Sequence, residues 1–428
     1  MYSLSGLRVI LRYNIEALTV DTIDVSDKRS SHITGFIRVF QLLRTYRYRK
    51  IMEQIYLSED LITEILSRLP VKSVVGFKIV SKTWNNLISK VCIPRILRAP
   101  SPLCGFLFPS TQDSIGYISY SDNEECGNDG EGFAQSLTSL LPSESLPYAL
   151  IDCCNGLILL GSSLSKHRYY VCNPLTKQCV AIPKAREDVL ASPPALAFHP
   201  CDSSHYKIIR FLRARMDPEV DIFSSENKTW ITRKVSVKPR RPVSFYVLQS
   251  VYSRGGILYN LTYRSTILRY NIEALSEAEI IEVPDKNNHP CDSEVIGLCK
   301  GALNYASRNQ STLLIWQLDD HRHHSNSHGS NKAASGARSW ILKHSICMDE
   351  WGNKLHVFGL TRFYNIHPNS DIIFLGSCDM IYRYHLKTNK MELFSTRSVG
   401  KEFSFASSYF WPYSQCCINI LNDFDHLK

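Results

Sequence analysis

The sequence predicts an α+β multidomain chain in which a small all-α module of three short helices precedes an all-β, propeller-like domain of about six degenerate blades. Three observations predict it. Apolar residues fall at helical spacing between 57 and 88, and apolar and polar residues alternate in short runs from 103 onward. One feature of those runs returns about every 50 residues, which is the spacing of propeller blades.

The helical module is expected over 52–98. In LSEDLITEILSRLP, residues Leu57, Leu61, Ile62, Ile65, Leu66 and Leu69 share one helix face. Ser58 is placed to cap that helix, Glu59 and Asp60 put negative charge at its positive end, and Pro70 stops it. A second helix starts at Ser73, with Val74, Val75 and Phe77 apolar; Ser81 is placed to cap a third carrying Trp84, Leu87 and Ile88. Three such helices bury too little surface to stand comfortably alone, so their apolar face asks for a partner.

The strand-rich domain is expected over 99–428. An aromatic or small apolar residue repeatedly ends an alternating strand and is followed by a polar hairpin: Tyr120, Cys172, Phe223, Tyr270, Trp316 and Tyr384. The gaps are 52, 51, 47, 46 and 68 residues, the last falling to 49 once the polar, low-complexity loop 321–339 is set aside. Strands CNGLILLG, RGGILYNL and CKGALNYA precede such anchors and carry Gly then an apolar residue, which predicts inner strands packed close to their neighbours. The period favours blades; a strand-rich sandwich is the alternative.

Composition narrows the function. The net charge of +9 has no single basic stripe behind it, because residues 1–51 hold nine Lys/Arg against four Asp/Glu and so account for five of the nine charges. Nucleic acid is therefore not an expected partner. No apolar run reaches the length of a membrane span, so no membrane association is expected. The 14 cysteines are scattered through apolar strands with no CxxC spacing, which predicts buried thiols in a reducing, intracellular compartment, nucleus and/or cytoplasm. His321, His323, His324 and His328 lie in a Ser/Asn/Gly-rich stretch without cysteine support and read as loop residues, so no metal is expected. No GxSxG, P-loop, GxGxxG or HExxH element occurs, so no catalytic residues and no cofactor are assigned.

Residues 54–98 resemble the plant-type F-box. The pieces that carry the resemblance are Asp60–Ser73 (DLITEILSRLPVKS) and Val80–Trp84 (VSKTW). Two positions depart from it: Ser58 stands where the family usually has Pro, and Ile79 where it often has Cys. Farther on, Cys154-Asn155-Gly156-Leu157, Asn173-Pro174-Leu175-Thr176-Lys177 and Ile182-Pro183 resemble the F-box-associated, kelch-like propellers, although only Gly255-Gly256 supplies the kelch glycine pair.

The resemblance implies the substrate-recognition subunit of an SCF-type (Skp–cullin–F-box) ubiquitin ligase. Its F-box binds the Skp adaptor, and through it the cullin and RING subunits, while the propeller binds an unknown protein substrate. Such a chain is not an enzyme; it accelerates transfer by proximity. The alternative is an F-box-containing scaffold that does not engage the ligase, which the Ser58 departure prompts. Leu57, Ile65, Leu66, Leu69, Pro70, Val75, Val80 and Trp84 are expected to bind the adaptor by helix-in-groove packing, with some of them forming the internal core instead. Segments Arg213–Pro218, Lys234–Arg241 and Tyr409–Tyr413 are the substrate-loop candidates.

Residues 1–51 form an irregular basic extension that contains a repeat. ILRYNIEAL occurs at 10–18 and again at 267–275. The first copy reads as a duplicated half-blade with no sheet to join. Met52 resembles a natural start, so 1–51 is expected to be a fragment of a duplicated neighbour, fused by rearrangement or by an erroneous gene model.

Overall fold

The structure is a computed structural model. It describes residues 2–4, 9–14, 19–24, 59–69, 71–98, 102–109, 115–120, 130–142, 148–162, 165–186, 191–212, 219–239, 246–274, 276–284, 294–309, 312–319, 338–347, 362–376, 380–396, 410–416, 418 and 420. Leu57, Ser58, Pro70, Arg213–Pro218 and nearly all of the loop expected at 321–339 lie outside the described residues; Ser339 already opens a strand.

The N-terminal copy does have a sheet. Strands β1 (Tyr2–Leu4), β2 (Val9–Asn14) and β3 (Thr19–Asp24) pair antiparallel in that order. Tyr2–Leu4 supplies a third strand beside the two that carry the repeated segment.

The helical module follows as α1 (Glu59–Ser67), α2 (Val71–Gly76) with a 3₁₀ turn Phe77–Ile79, and α3 (Lys82–Leu87) continuing through a π turn, Ile88–Cys92, into α4 (Ile93–Arg98). Ser81 caps α3 as expected, its hydroxyl accepting from the Trp84 amide at 3.1 Å. In the π turn the Ile93 amide donates to Ile88, five residues back. Pro94 comes next and has no amide hydrogen, so the helical ladder changes register just where a donor is missing.

Six sheets make the propeller. Blade 1 is β4 (Gly105–Pro109) and β5 (Ile115–Ser119), completed by the C-terminal strand β27 (Trp411–Tyr413), which pairs Trp411 with Leu107. Helix α5 (Gly130–Thr138) follows β5. Blade 2 is β6 (Tyr148–Cys154), β7 (Leu157–Ser162), β8 (Ser165–Asn173) and β9 (Gln178–Ile182). Blade 3 is β10 (Ala195–Ala197), β11 (Lys207–Phe211), β12 (Glu219–Ser224) and β13 (Thr229–Lys234).

Blade 4 gains a fifth, parallel edge strand, β14 (Ser236–Lys238), outside β15 (Val247–Ser253), β16 (Ile257–Thr262), β17 (Thr266–Asn271) and β18 (Glu277–Glu282). Blade 5 is β19 (Glu294–Cys299), β20 (Ala302–Asn309), β21 (Thr312–Asp319) and β22 (Ser339–Cys347). Blade 6 is β23 (Arg362–Ile366), β24 (Ile372–Gly376), β25 (Met380–His385) and β26 (Lys390–Thr396).

The 50-residue anchors occupy one structural place. Cys172, Phe223, Tyr270, Trp316 and Tyr384 lie on the third strand of their blades, and Tyr120 directly follows β5. The strands that follow these glycines, expected to be inner strands, are the second strands of their blades, each with a neighbour on both sides (β7, β16 and β20). Their glycines turn the chain out of the innermost strand. The six hydrophobic clusters coincide with the six blade-to-blade seams: Leu107 with Ile158, Leu159 with Ile208, Ile209 with Leu268, Ile267 with Ile296, Val295 with Ile373, and Phe374 with Phe106. The core is therefore a closed ring of seams rather than one centre, and the sandwich alternative is excluded.

Candidate interaction surfaces

The helical module divides its apolar residues between an interior and a surface. Leu66, at 2% exposure, is buried with Val74, Ile88, Cys92 and Ile93. Leu66 was among the expected adaptor contacts, and the structure places it inside. Ile65, Leu69, Val75 and Trp84 are half-buried, and Trp84 stands edge-on to Phe77 with centroids 5.9 Å apart. Val80 is 49% exposed, and its neighbour Ile79, absent from the sequence-based set, is 91% exposed. The signal for Ile79 was its departure from the family pattern, an apolar residue in place of Cys.

Glu64 pins the module together. It accepts two bonds from Arg68 at 2.9 and 2.7 Å and pairs with Arg95 at 2.6 Å. The Arg68 and Arg95 guanidinium groups hold its carboxyl below the usual range. The bridge joins α1 to α4, so the exposed turn between α2 and α3 projects from a braced frame.

In the propeller the innermost strands all run the same way, which defines two rims. At the second rim, where they end, the chain turns quickly, as at Asn155–Gly156 and Lys300–Gly301. This rim is knit blade to blade. Asp202 accepts from the Gly255 amide at 2.8 Å, Lys207 donates to Glu273 at 2.7 Å, and Asp371 accepts from Lys300 at 2.9 Å and pairs with Lys387 at 2.8 Å. The innermost strands begin at the first rim, and in sequence residues 183–194, 239–246, 283–293, 348–361 and 397–410 separate them from the preceding strand. Exposed Tyr246 and Tyr263 pack edge to face on that rim.

Of the substrate-loop candidates, Lys234 ends β13 and Ser236–Lys238 is the edge strand β14. Tyr409–Tyr413 is corrected: its described part is the closing strand β27, with Tyr413 buried. Its aromatic content reflects ring closure, not a loop tip.

A cavity of about 530 Å³ lies on the axis, bordered by Cys153, Leu196, Gln249, Ile296, Ile366 and Trp411 among others. The free edges of the innermost strands face it, and three polar side chains satisfy them from alternate blades. Asp152 of blade 2 accepts from the Leu196 amide of blade 3 at 2.7 Å and from Cys153 at 2.8 Å. Gln249 of blade 4 donates to the Ile296 carbonyl of blade 5 and accepts from its amide, both at 2.9 Å.

Asn365 of blade 6 donates to the Phe410 carbonyl at 2.5 Å, next to the strand that completes blade 1. Each of the three follows a register shift in its own strand, so a bulge turns the side chain toward the next blade. Burial pushes Asp152 up to about 7, against the pull of its amide donors. His367 nearby is pushed down to about 4 by burial, and its Nδ1 accepts from the Asn369 and Ser370 amides at 3.0 Å; it is a neutral turn residue. Among the described residues no group of three His, Cys, Asp or Glu is arranged to hold a metal.

The motif residues of blade 2 hold the C-terminal strap. Asn173 Nδ2 donates to the Cys416 and Ile418 carbonyls at 3.0 and 2.9 Å, while its Oδ1 accepts from the Leu175 amide at 3.1 Å. Gly156 sits at φ +87°, and a Cβ there would lie 2.5 Å from the Ser414 carbonyl oxygen, so both its backbone and the strap require glycine.

Comparison with known proteins agrees with this architecture. The F-box domain family matches residues 56–96. The family described as F-box protein At3g26010-like, beta-propeller, matches residues 120–422. The chain belongs to this F-box propeller family. It is similar to "F-box protein At5g07610" of Arabidopsis thaliana, 27% identical over 68% of this chain and 70% of that one. It is also similar to "Putative F-box/kelch-repeat protein At4g22430" of the same plant, 25% identical over 79% of this chain and 80% of that one. "F-box only protein 8", again from Arabidopsis thaliana, is 32% identical over 41% of this chain and 60% of that one. In this F-box propeller chain Asn173 and Gly156 of these two motifs hold the C-terminal strap.

Proposed function

We propose that this chain is the substrate-recognition subunit of an SCF-type ubiquitin ligase, its helical module docking on the Skp adaptor and its propeller holding a target protein. The observation that carries the reading is the exposed Ile79–Val80 pair, 91% and 49% open, at a helix turn inside the matched F-box. A monomer gains nothing by exposing two adjacent branched side chains on a braced turn; a partner groove does. Ile65, Leu69, Val75 and Trp84 flank that role as half-buried supports, and the same proposal extends to Leu57 and Pro70 by their place in the motif.

The first rim is the proposed target face. Exposed Tyr246 and Tyr263 stand on it, whereas the second rim is tied by ion pairs between neighbouring blades. The chain contributes no bond-making step in this reading; it raises the local concentration of the target beside the transfer machinery.

The test uses the full chain and a purified Skp adaptor. Burying an isoleucine or valine is worth about 1.5–3 kcal/mol each, so Ile79→Asp/Val80→Asp is expected to weaken adaptor binding by about 100-fold or more. Both side chains are exposed, so the helical signal in circular dichroism stays unchanged. Wild-type affinity in the double variant, or no adaptor binding by the unaltered chain, overturns the reading; the second result favours a scaffold that does not engage the ligase.

A further inference from the structure

Blade 2 carries two thiols poised against each other. Cys172 on β8 and Cys179 on β9 are directly opposed in the antiparallel register. Their sulfurs stand 2.7 Å apart, closer than two unbonded sulfurs ordinarily approach. Directly opposed strand residues bring Cβ atoms to about 4.5–5.5 Å, and a disulfide asks for about 3.8 Å, so only a small adjustment separates the pair from a bond. Cys172 is buried and Cys179 is half-buried, so Cys179 is the more accessible of the two to an oxidant.

The residues between these thiols hold the C-terminal strap. Asn173, next to Cys172, donates to the Cys416 and Ile418 carbonyls. Gln178, next to Cys179, accepts from the Ile420 amide at 3.0 Å and from the Thr176 hydroxyl at 2.8 Å. A covalent link across this hairpin therefore fixes the clasp that fastens the end of the chain to the ring.

We propose that Cys172 and Cys179 form a reversible two-electron oxidation site, closed by hydrogen peroxide into a cross-strand disulfide that stiffens the clasp on the C-terminal strap. The half-buried Cys179 sulfur attacks one peroxide oxygen, the O–O bond breaks, and sulfenic acid and one water result. Cys172 then attacks the Cys179 sulfur; the S–S bond forms and the S–OH oxygen leaves as a second water, taking the thiol proton. Two thiols lose two electrons and two protons, and one peroxide becomes two waters. Burial pushes the Cys172 thiol up, which fits its role as the second, resolving thiol.

The experiment uses the full-length protein, with all 14 cysteines in place. It is exposed to limiting hydrogen peroxide, alkylated and digested with trypsin without reduction. Lys177 lies between the two cysteines, so cleavage leaves peptides 169–177 and 178–184 joined only if the disulfide formed. The joined pair is expected in the oxidised protein, absent after dithiothreitol and absent in Cys179→Ser. Hydrogen exchange at Ile420 is expected to slow on oxidation.

If Cys347, whose side chain is exposed, is consumed while both hairpin thiols are alkylated, the site assignment fails. It also fails if Cys179 reaches the sulfinic acid with Cys172 still reduced. A joined pair with unchanged exchange at Ile420 overturns the link to the strap.

Discussion

Gln249 offers the sharpest test of how the ring is held. Its amide makes two bonds to one neighbour, donating to the Ile296 carbonyl and accepting from the Ile296 amide at 2.9 Å each. In Gln249→Ala both backbone groups lose their partner while Ile296 itself stays fully buried. Each bond is worth about 1 kcal/mol net, and a buried group left unsatisfied costs about 1–3 kcal/mol. Gln249 borders the axial cavity, so water can reach at least part of the gap and soften the loss. The expected destabilisation is therefore about 2–4 kcal/mol.

Gln249→Glu separates geometry from bonding. It keeps the shape and the acceptor but sets a carboxylate oxygen against the Ile296 carbonyl, so it is expected to cost at least as much at neutral pH and to recover in acid. The assay is denaturant unfolding of each variant, with hydrogen exchange read at the Ile296 amide. If both variants fall within about 0.5 kcal/mol of wild type, with that amide still protected, the clamp is ornamental and the reasoning fails.

Two further outcomes follow from neighbouring groups. Asp152 has its pKa raised from 3.8 to about 7 by burial, so the folded state keeps a proton that the unfolded state releases. Its stabilising contribution is complete below about pH 4 and is lost as pH rises through 7; Asp152→Asn is expected to flatten the thermal midpoint between pH 4 and 8, and a wild-type profile already as flat as the variant's counts against the shift. Asn173→Ala removes the bonds to the Cys416 and Ile418 carbonyls, at about 2 kcal/mol for the pair. Faster hydrogen exchange across 414–420 is the expected readout, and wild-type protection there refutes the strap assignment.

What was legible in the sequence follows the range of the interactions. The third-strand anchors could be read because each sits in the seam with the preceding blade, so a bulky or apolar residue recurs at the blade spacing. The Ser81 cap and the helical face were legible for the same local reason. Within the helical module, Leu66 and Val80 look alike as letters, and only the folding of the module buries one and leaves the other exposed. The seam clamps had no common letter at all. Asp, Gln and Asn do the same work at 152, 249 and 365, because any side chain that can present an oxygen or amide past a bulge will satisfy a free strand edge.

The repeated segment near the N-terminus separates local from distant information in one molecule. In blade 4, Tyr259 faces Arg269 and Arg269 faces Glu279. In the N-terminal sheet, Tyr2 faces Arg12 and Arg12 faces Asp21. The same backbone register arises in this three-stranded sheet, so the repeated segment carries its pairing register with it. Ring closure is different. Trp411 meets Leu107, and Asn173 meets Ile418, across separations that no local pattern encodes. Those contacts form only after the intervening blades have brought the chain ends together, which is why the closing strand resembled a surface loop when read as sequence.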